Sequence, residues 1–337
     1  MGPDAPARPA FDAELVPVLA ARTGLLPKLS TQTLAQIRHL TAQGPLGVEP
    51  ADLTMGGAIC LTERTVPSSD PGVDISVLIL SPAVGHGPWP AMFHTHGGGM
   101  VMGNSRSQIE PFLPHVAAGA VLVSVDYRLA PEHPDPAPVE DCYAGLVWTA
   151  EHAAELDIDP GRIMIIGGSA GGGLAAGTAL LARDRGFPHL THQVLFYPML
   201  DDRMESHSSQ MLDGEGTWDR HDNLFGWTAL LGERRGGTAV SPYAVPARAT
   251  DLTRLPRTYI DVGDCDAFRD EAVEHALRLS QAGVSVDLHL WAGAYHGSEI
   301  TAPDAEVSQQ MTRVRDDYLR RALRPAADAG VSRPPGP

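Results

Sequence analysis

Four apolar residues, Ile163-Met164-Ile165-Ile166, run into Gly167-Gly168, Ser169 follows, and the chain resumes as Ala170-Gly171-Gly172-Gly173 and an Ala- and Leu-rich stretch to about Arg183. This stretch constrains the fold more than any other. A short apolar run bounded by glycines reads as a buried strand, and the Ala- and Leu-rich continuation as a helix. A strand-to-helix turn this tight forces the serine into a strained backbone and demands small neighbours where chains pass close together. Gly167-Gly168-Ser169-Ala170-Gly171 fits the pattern G-x-S-x-G. The pentapeptide recurs by chance, so its weight comes from the strand before it and the helix after it.

The rest of the chain repeats that rhythm. Runs near 58–63 and 74–80 read as strands divided by the turn Pro67-Ser68-Ser69-Asp70-Pro71-Gly72, a hairpin at a sheet edge. Further strands are expected at 90–95, 120–126, 162–166, 193–197, 258–262 and 284–291, with helices near 139–156, 172–183, 270–282 and 306–323. Strands alternating with helices predict right-handed crossovers and a mostly parallel, doubly wound sheet of eight strands. Two segments break the pattern. Residues 1–50 hold two helical stretches, 11–21 and 31–43, expected to cover the sheet. Residues 201–245 are polar and Gly-rich, with Met204, Met211, Trp218, Phe225 and Trp227, and read as an insertion forming half of a lid. Residues 51–325 form the main domain. The tail 326–337, ending in Arg333-Pro334-Pro335-Gly336-Pro337, reads as disordered.

Composition narrows the function. With 25 basic and 41 acidic residues in 337, the net charge is −16, which argues against nucleic acid as a partner, because phosphate binding needs a basic patch. Lys28 is the single lysine, so Schiff-base chemistry and a lysine phosphate cradle have almost nothing to work with. Cys60, Cys142 and Cys265 are odd in number and far apart, as in reduced thiols rather than a disulfide framework. Cys142 on a helix reads as small apolar filler. No secretory leader and no apolar run long enough for a membrane span is apparent, so a cytoplasmic location is expected. No H-E-x-x-H or C-x-x-C spacing points to a metal, and no cofactor is expected.

Ser169 at the C-terminal edge of the sheet lies where open α/β folds collect ligands. A serine hydroxyl needs a base to take its proton, and the base needs an acid to orient it. The later loops on that edge carry Gly263-Asp264-Cys265-Asp266 and Gly293-Ala294-Tyr295-His296-Gly297. His296 is the candidate base. Asp261 lies inside a strand and Asp270 reads as a helix start, leaving Asp264 or Asp266 as the acid. His96-Gly97-Gly98-Gly99-Met100 follows the strand 90–95. Its glycines let backbone N–H groups turn towards the serine and, with that of Ala170, receive the oxyanion of an attacked carbonyl.

Together these residues resemble the hormone-sensitive-lipase-like esterases of the α/β-hydrolase fold. The resemblance rests on His96-Gly97-Gly98-Gly99, on Asp126-Tyr127-Arg128-Leu129-Ala130-Pro131-Glu132, on the elbow from Gly167 through Gly171, on Asp266-Ala267-Phe268-Arg269-Asp270-Glu271, and on Tyr295-His296-Gly297. It implies an eight-stranded sheet with a helical cap, built from the N-terminal helices and the later insertion. It chooses Asp266 over Asp264 as the acid and assigns the oxyanion hole to Gly98, Gly99 and Ala170. It also implies a homodimer through the last strand and helix. Three positions depart from the family pattern: Gly168 stands for an acidic residue, and Met100 and Ser298 stand where aromatics are common. The last two are expected to reshape the acyl pocket, with Met204, Met211 and Trp218 as further lining residues. Asp126, Tyr127 and Arg128 are expected to brace the oxyanion loop by an ion pair and a buried phenol, with Asp141 joining them.

The expected activity is hydrolysis of small to medium acyl esters through an acyl-enzyme, with a small-molecule ester as partner, no cofactor and no membrane insertion. Amide hydrolysis or acyl transfer on the same three residues, and non-catalytic ligand binding, are the alternatives.

Overall fold

The computed structural model describes residues 6–42 and 51–324. The expected tail 326–337 lies outside the described residues, as does part of the junction before residue 51. Eight strands form one sheet: β1 (Ile59–Pro67), β2 (Asp74–Pro82), β3 (Trp89–Thr95), β4 (Val121–Asp126), β5 (Ile158–Gly168), β6 (His192–Phe196), β7 (Arg257–Gly263) and β8 (Val286–Trp291). Their order across the sheet is β1-β2-β4-β3-β5-β6-β7-β8. β1 and β2 form the expected antiparallel edge hairpin, β2 also runs antiparallel to β4, and every other pair is parallel. The central strands are apolar on both faces because helices cover both: Met92, Phe93, Val123, Ile163, Ile165, Ile166 and Leu195 are all buried.

The helices are α1 (Leu15–Arg22), α2 (Leu34–Thr41), α3 (Leu113–Ala117), α4 (Ala137–Glu151), α5 (Ala170–Arg185), α6 (His207–Met211), α7 (Arg220–Leu231), α8 (Arg269–Gln281), α9 (Ser298–Thr301) and α10 (Glu306–Ala322). α5 is buried through Ala182, which explains a composition of Gly, Ala and Leu with no polar face. α1 and α2 lie over loops at the C-terminal edge of the sheet. Leu15, with Phe11 beside it, packs on Ala294, Tyr295, Ala302, Ala305 and Met311. Arg38 of α2 donates to the carbonyls of Val101 (2.7 Å) and Ala130 (2.9 Å). Between β6 and β7 the chain leaves the sheet and builds α6 and α7. Asp219 caps α7 by accepting the N–H groups of His221 and Asp222 at 2.8 and 3.0 Å.

Candidate active site

The turn from β5 into α5 is as tight as its sequence requires. Ser169 sits at φ 59°, ψ −126°, a left-handed backbone that costs a non-glycine residue roughly 1–3 kcal/mol. Neighbouring backbone holds it there: its N–H donates to the Phe196 carbonyl at 2.9 Å, and its carbonyl accepts from Met199 at 2.9 Å and Gly173 at 3.1 Å. A Cβ on Gly171 would collide with the Thr95 carbonyl oxygen, so that position admits only glycine without displacing β3. The Thr95 hydroxyl donates to the Gly171 carbonyl at 2.7 Å and ties the two glycine-rich loops together.

Ser169 is 4% exposed. Its Oγ lies 2.9 Å from Nε2 of His296, and Nδ1 of the same ring lies 2.8 Å from Oδ2 of Asp266. A carboxylate only accepts, so this contact keeps the imidazole proton on Nδ1 and leaves Nε2 free to take the serine proton. Asp266 is fully buried, and its other oxygen accepts the N–H of Phe268 at 2.9 Å. Asp264 acts on the backbone instead. Its carboxylate accepts the N–H of Gly293 at 2.7 Å and fixes the loop leading to His296. Asp261 and Asp270 are engaged elsewhere, with Arg315 and with the N–H of Ser208.

The loop after β3 turns under the serine. Gly98 has φ 115° and Gly99 φ 62°; at Gly98 a Cβ would also strike the Met102 carbonyl. The N–H of Gly97 is taken by Oε1 of Gln108 at 2.8 Å, while no acceptor among the described residues takes those of Gly98 or Gly99. Ala170 opens α5, where backbone N–H groups favour developing negative charge. The brace beneath is extensive. The Tyr127 hydroxyl donates to the His96 carbonyl at 2.7 Å, and the two rings stack at 4.1 Å. Burial drives His96 down to about 4, so its ring is neutral. The ion pair differs from the expected one: Arg128 forks onto Asp141 at 2.7 and 2.8 Å rather than onto Asp126. Asp126 faces the N–H of Ser105, and burial raises its carboxyl.

Of the four lining candidates, Trp218 is the one whose ring is placed near that of His296. Its ring packs where a Cβ of Gly99 would stand and lies 6.5 Å from the His296 ring. Met100 is fully buried in the main core, with its methyl group near Gly173. Met211 packs with Leu212 and Ala267, its sulfur 3.6 Å from Arg269. Met204 borders a separate cleft of about 380 Å³ with Arg203, Gln210, Arg220 and Leu224. Ser298 is corrected more sharply: its hydroxyl faces the Met311 sulfur at 3.8 Å, in the cluster under α10, because α9 starts at Ser298 and turns the side chain inward. Sequence reading missed Tyr197 and Phe268, whose rings pack against His296 at 4.6 and 5.2 Å, and Thr217, whose hydroxyl donates to the His296 carbonyl. Phe268 lies within the resembling segment from Asp266 to Glu271, and Tyr197 closes a strand before Pro198, whereas Thr217 carried no signal.

Metal-ligating atoms cluster once among the described residues, at Asp213, Asp219 and His221. Asp219 is already capping α7, and Asp213 pairs with Arg220 at 3.0 Å and with His221 at 2.9 Å. These charges are answered by protein.

Comparisons with known proteins bear on the fold and the activity. A family model described as alpha/beta hydrolase fold matches residues 92–300. Carboxylesterase NlhH of Mycobacterium tuberculosis is 38% identical over 270 residues, 78% of this chain and 83% of that protein. Esterase LipI of the same organism is 39% identical over 217 residues, covering 62% of this chain and 65% of the relative. Among solved structures, a bacterial heroin esterase superposes with a TM-score of 0.84 at 39% identity, over 94% of this chain and 99% of the other.

Proposed function

The chain belongs to the α/β-hydrolase fold family, in its hormone-sensitive-lipase-like esterase group, and is a carboxylic ester hydrolase; from that premise we propose that Ser169, His296 and Asp266 are its catalytic residues and that small to medium acyl esters are its substrates. The observation that carries the assignment is the unbroken line from Asp266 through His296 to Ser169, at 2.8 and 2.9 Å, on the edge of the sheet where two glycine loops meet. Ser169 attacks the ester carbonyl while His296 takes its proton at Nε2. Asp266 keeps the ring in the right tautomer and balances the imidazolium. The oxyanion is received by the N–H groups of Gly98, Gly99 and Ala170. His296 returns the proton to the leaving alkoxide, and water, deprotonated by the same nitrogen, releases the acid from Ser169.

Trp218, stacked over Gly99, is proposed as a wall of the acyl pocket. α1, α2 and the excursion holding α6 and α7 are proposed as the cap. A homodimer through β8 is supported by Leu288 and Leu290, exposed on that edge strand beside exposed Leu277 of α8. No helix among the described residues is long and apolar enough to cross a membrane. A cytoplasmic location without nucleic-acid partners is supported by the unpaired thiols of Cys60, Cys142 and Cys265 and by the net charge of −16.

Ser169→Ala is the direct test. It should remove turnover of p-nitrophenyl acetate and butyrate while circular dichroism and the melting curve stay those of the parent. Turnover at the parental rate in that variant would overturn the assignment.

A further inference from the structure

The line from Asp266 to Ser169 does not account for a second set of charges, which reaches the same imidazole through one aromatic ring. Tyr197, the residue after β6, has a left-handed backbone at φ 34°, and its N–H donates to the Asp261 carbonyl at 2.6 Å. Its ring meets the His296 ring nearly edge-on, centroids 4.6 Å apart and planes at 67°. The Tyr197 hydroxyl donates to Oε1 of Glu299 at 2.6 Å. Glu299 stands three residues beyond His296, in α9. Arg315 of α10 donates to the same Glu299 oxygen and forks onto Asp261 of β7 at 2.6 and 2.9 Å. Tyr259 donates to Asp261 at 3.0 Å, and the Arg315 guanidinium lies 4.2 Å above the Phe196 ring. The side chains of Asp261, Glu299 and Arg315 are 0, 7 and 10% exposed.

Buried ion clusters of this kind are poor stabilisers, since desolvation offsets most of the attraction, and an apolar repacking is often at least as stable. Their cost points to a role beyond stability. The cluster holds two carboxylates and one guanidinium. Glu299 stays below its ordinary value: burial pushes it up, but Arg315 and the Tyr197 hydroxyl pull it down further. Its second oxygen, Oε2, has no partner among the described residues. The Arg315 guanidinium lies 5.3 Å from the Tyr197 ring centroid, but two carboxylates outnumber it, and a cluster of net negative charge behind the ring that meets the imidazole favours positive charge on that imidazole.

We propose that Tyr197 is a positioning residue for His296, and that Glu299, acting through Tyr197, is a second carboxylate supporting the imidazolium formed when Ser169 gives up its proton. The inference rests on the catalytic reading of Ser169, His296 and Asp266. The titratable and charged groups around the imidazole are then Asp266 from the loop after β7, Tyr197 just after β6, Glu299 from α9, and behind them Asp261 and Tyr259 from β7 and Arg315 from α10.

The test compares the full chain with Tyr197→Phe and Glu299→Gln, using p-nitrophenyl butyrate, thermal melts, and the pH profile of kcat/KM, whose acid limb reports the free histidine. Both variants should lose kcat by roughly 10- to 100-fold, the scale of a misplaced catalytic group, with KM little changed. In Glu299→Gln the acid limb should also move to lower pH, because one negative charge behind the Tyr197 ring is gone. In Tyr197→Phe the carboxylate remains, and kcat should fall without that displacement. Parental kcat and acid limb in a folded variant, even with a lowered melting temperature, would overturn the proposal and leave the cluster a structural one. If Glu299→Gln fails to fold, Tyr197→Phe leaves every charge in place and still decides the positioning claim by its kcat. Failure of the underlying reading is separable: the unsubstituted chain would then turn over no ester at all.

Discussion

At the scale of single residues, the two aspartates on the loop after β7 show how position divides labour. Asp264 and Asp266 are two residues apart and chemically identical, yet one binds a backbone N–H of the histidine loop and the other the histidine ring. Asp266→Asn should therefore lower kcat by a factor on the order of 10⁴, as when a catalytic imidazole is left in the wrong tautomer. Asp264→Asn keeps an acceptor for Gly293 and should cost less than about tenfold, since a conservative amide replaces one acceptor oxygen among several loop contacts. Steady-state kinetics on the two variants, side by side, check this; equal losses would contradict the division. The sequence alone left these two aspartates open, because both lie on the right loop and periodicity says nothing about which way a loop side chain turns. Ser169 and His296 were legible because each is pinned by glycine: one by a turn only small neighbours permit, the other by a Gly-flanked loop at the end of the last strand.

At the scale of elements, the histidine loop is held from outside the sheet. α1 lies against it through Leu15, which is fully buried, and Phe11, ahead of the helix, meets the Tyr295 ring edge-on at 6.0 Å. The Asp12 N–H donates to the Gly293 carbonyl at 3.0 Å. Leu15→Ala should cost about 2–5 kcal/mol, the usual range for an emptied leucine site. It should also lower kcat with KM little changed, because Tyr295 precedes His296, the proposed base. Chemical denaturation and kinetics on this variant measure both; an unchanged unfolding midpoint would show that α1 is not docked there. The strands were readable because both faces of β3, β4 and β5 are covered, which writes an apolar run into the chain. β5 is longer than its apolar run, since Ile158 already pairs with Trp89 of β3 across a polar stretch that carries no strand signal. The surroundings of the site were least readable. Tyr197, Trp218, Glu299 and Arg315 come from four separate elements, and what brings them together is the packing of the excursion and of α10. Methionines in that excursion could be read either as core or as lining, since a flexible apolar side chain serves both, and Met211 packs with Leu212 and Ala267.

At the scale of the whole molecule, buried histidines make stability depend on acid. Burial holds His94 at about 3, with His96 nearby adding to the effect, and holds His96 and His275 at about 4. Their unfolded value is 6.5. The folded chain therefore keeps all three neutral where the unfolded chain has charged them, and this stability is whole above about pH 6.5 and drains away towards about pH 4. Each histidine contributes a slope of up to about 1.4 kcal/mol per pH unit in that window. Asp222, pushed up to about 6 by burial, and Glu271, pushed well upward by burial, act in the opposite sense and return part of the loss. Melting temperatures at constant ionic strength should fall steadily from roughly pH 7 to pH 4.5; a flat profile would mean that these rings are not held neutral.

The sheet edge and the two glycine loops converge on one serine hydroxyl, and the most direct measurement is of its reactivity. The full chain is incubated with a fluorophosphonate, then read by intact mass and peptide mapping, beside His296→Ala. A single stoichiometric adduct on Ser169 is expected in the parent, and none in the variant over the same time. No adduct in the folded parent, or an adduct that survives loss of His296 at the same rate, would contradict the catalytic reading of these residues.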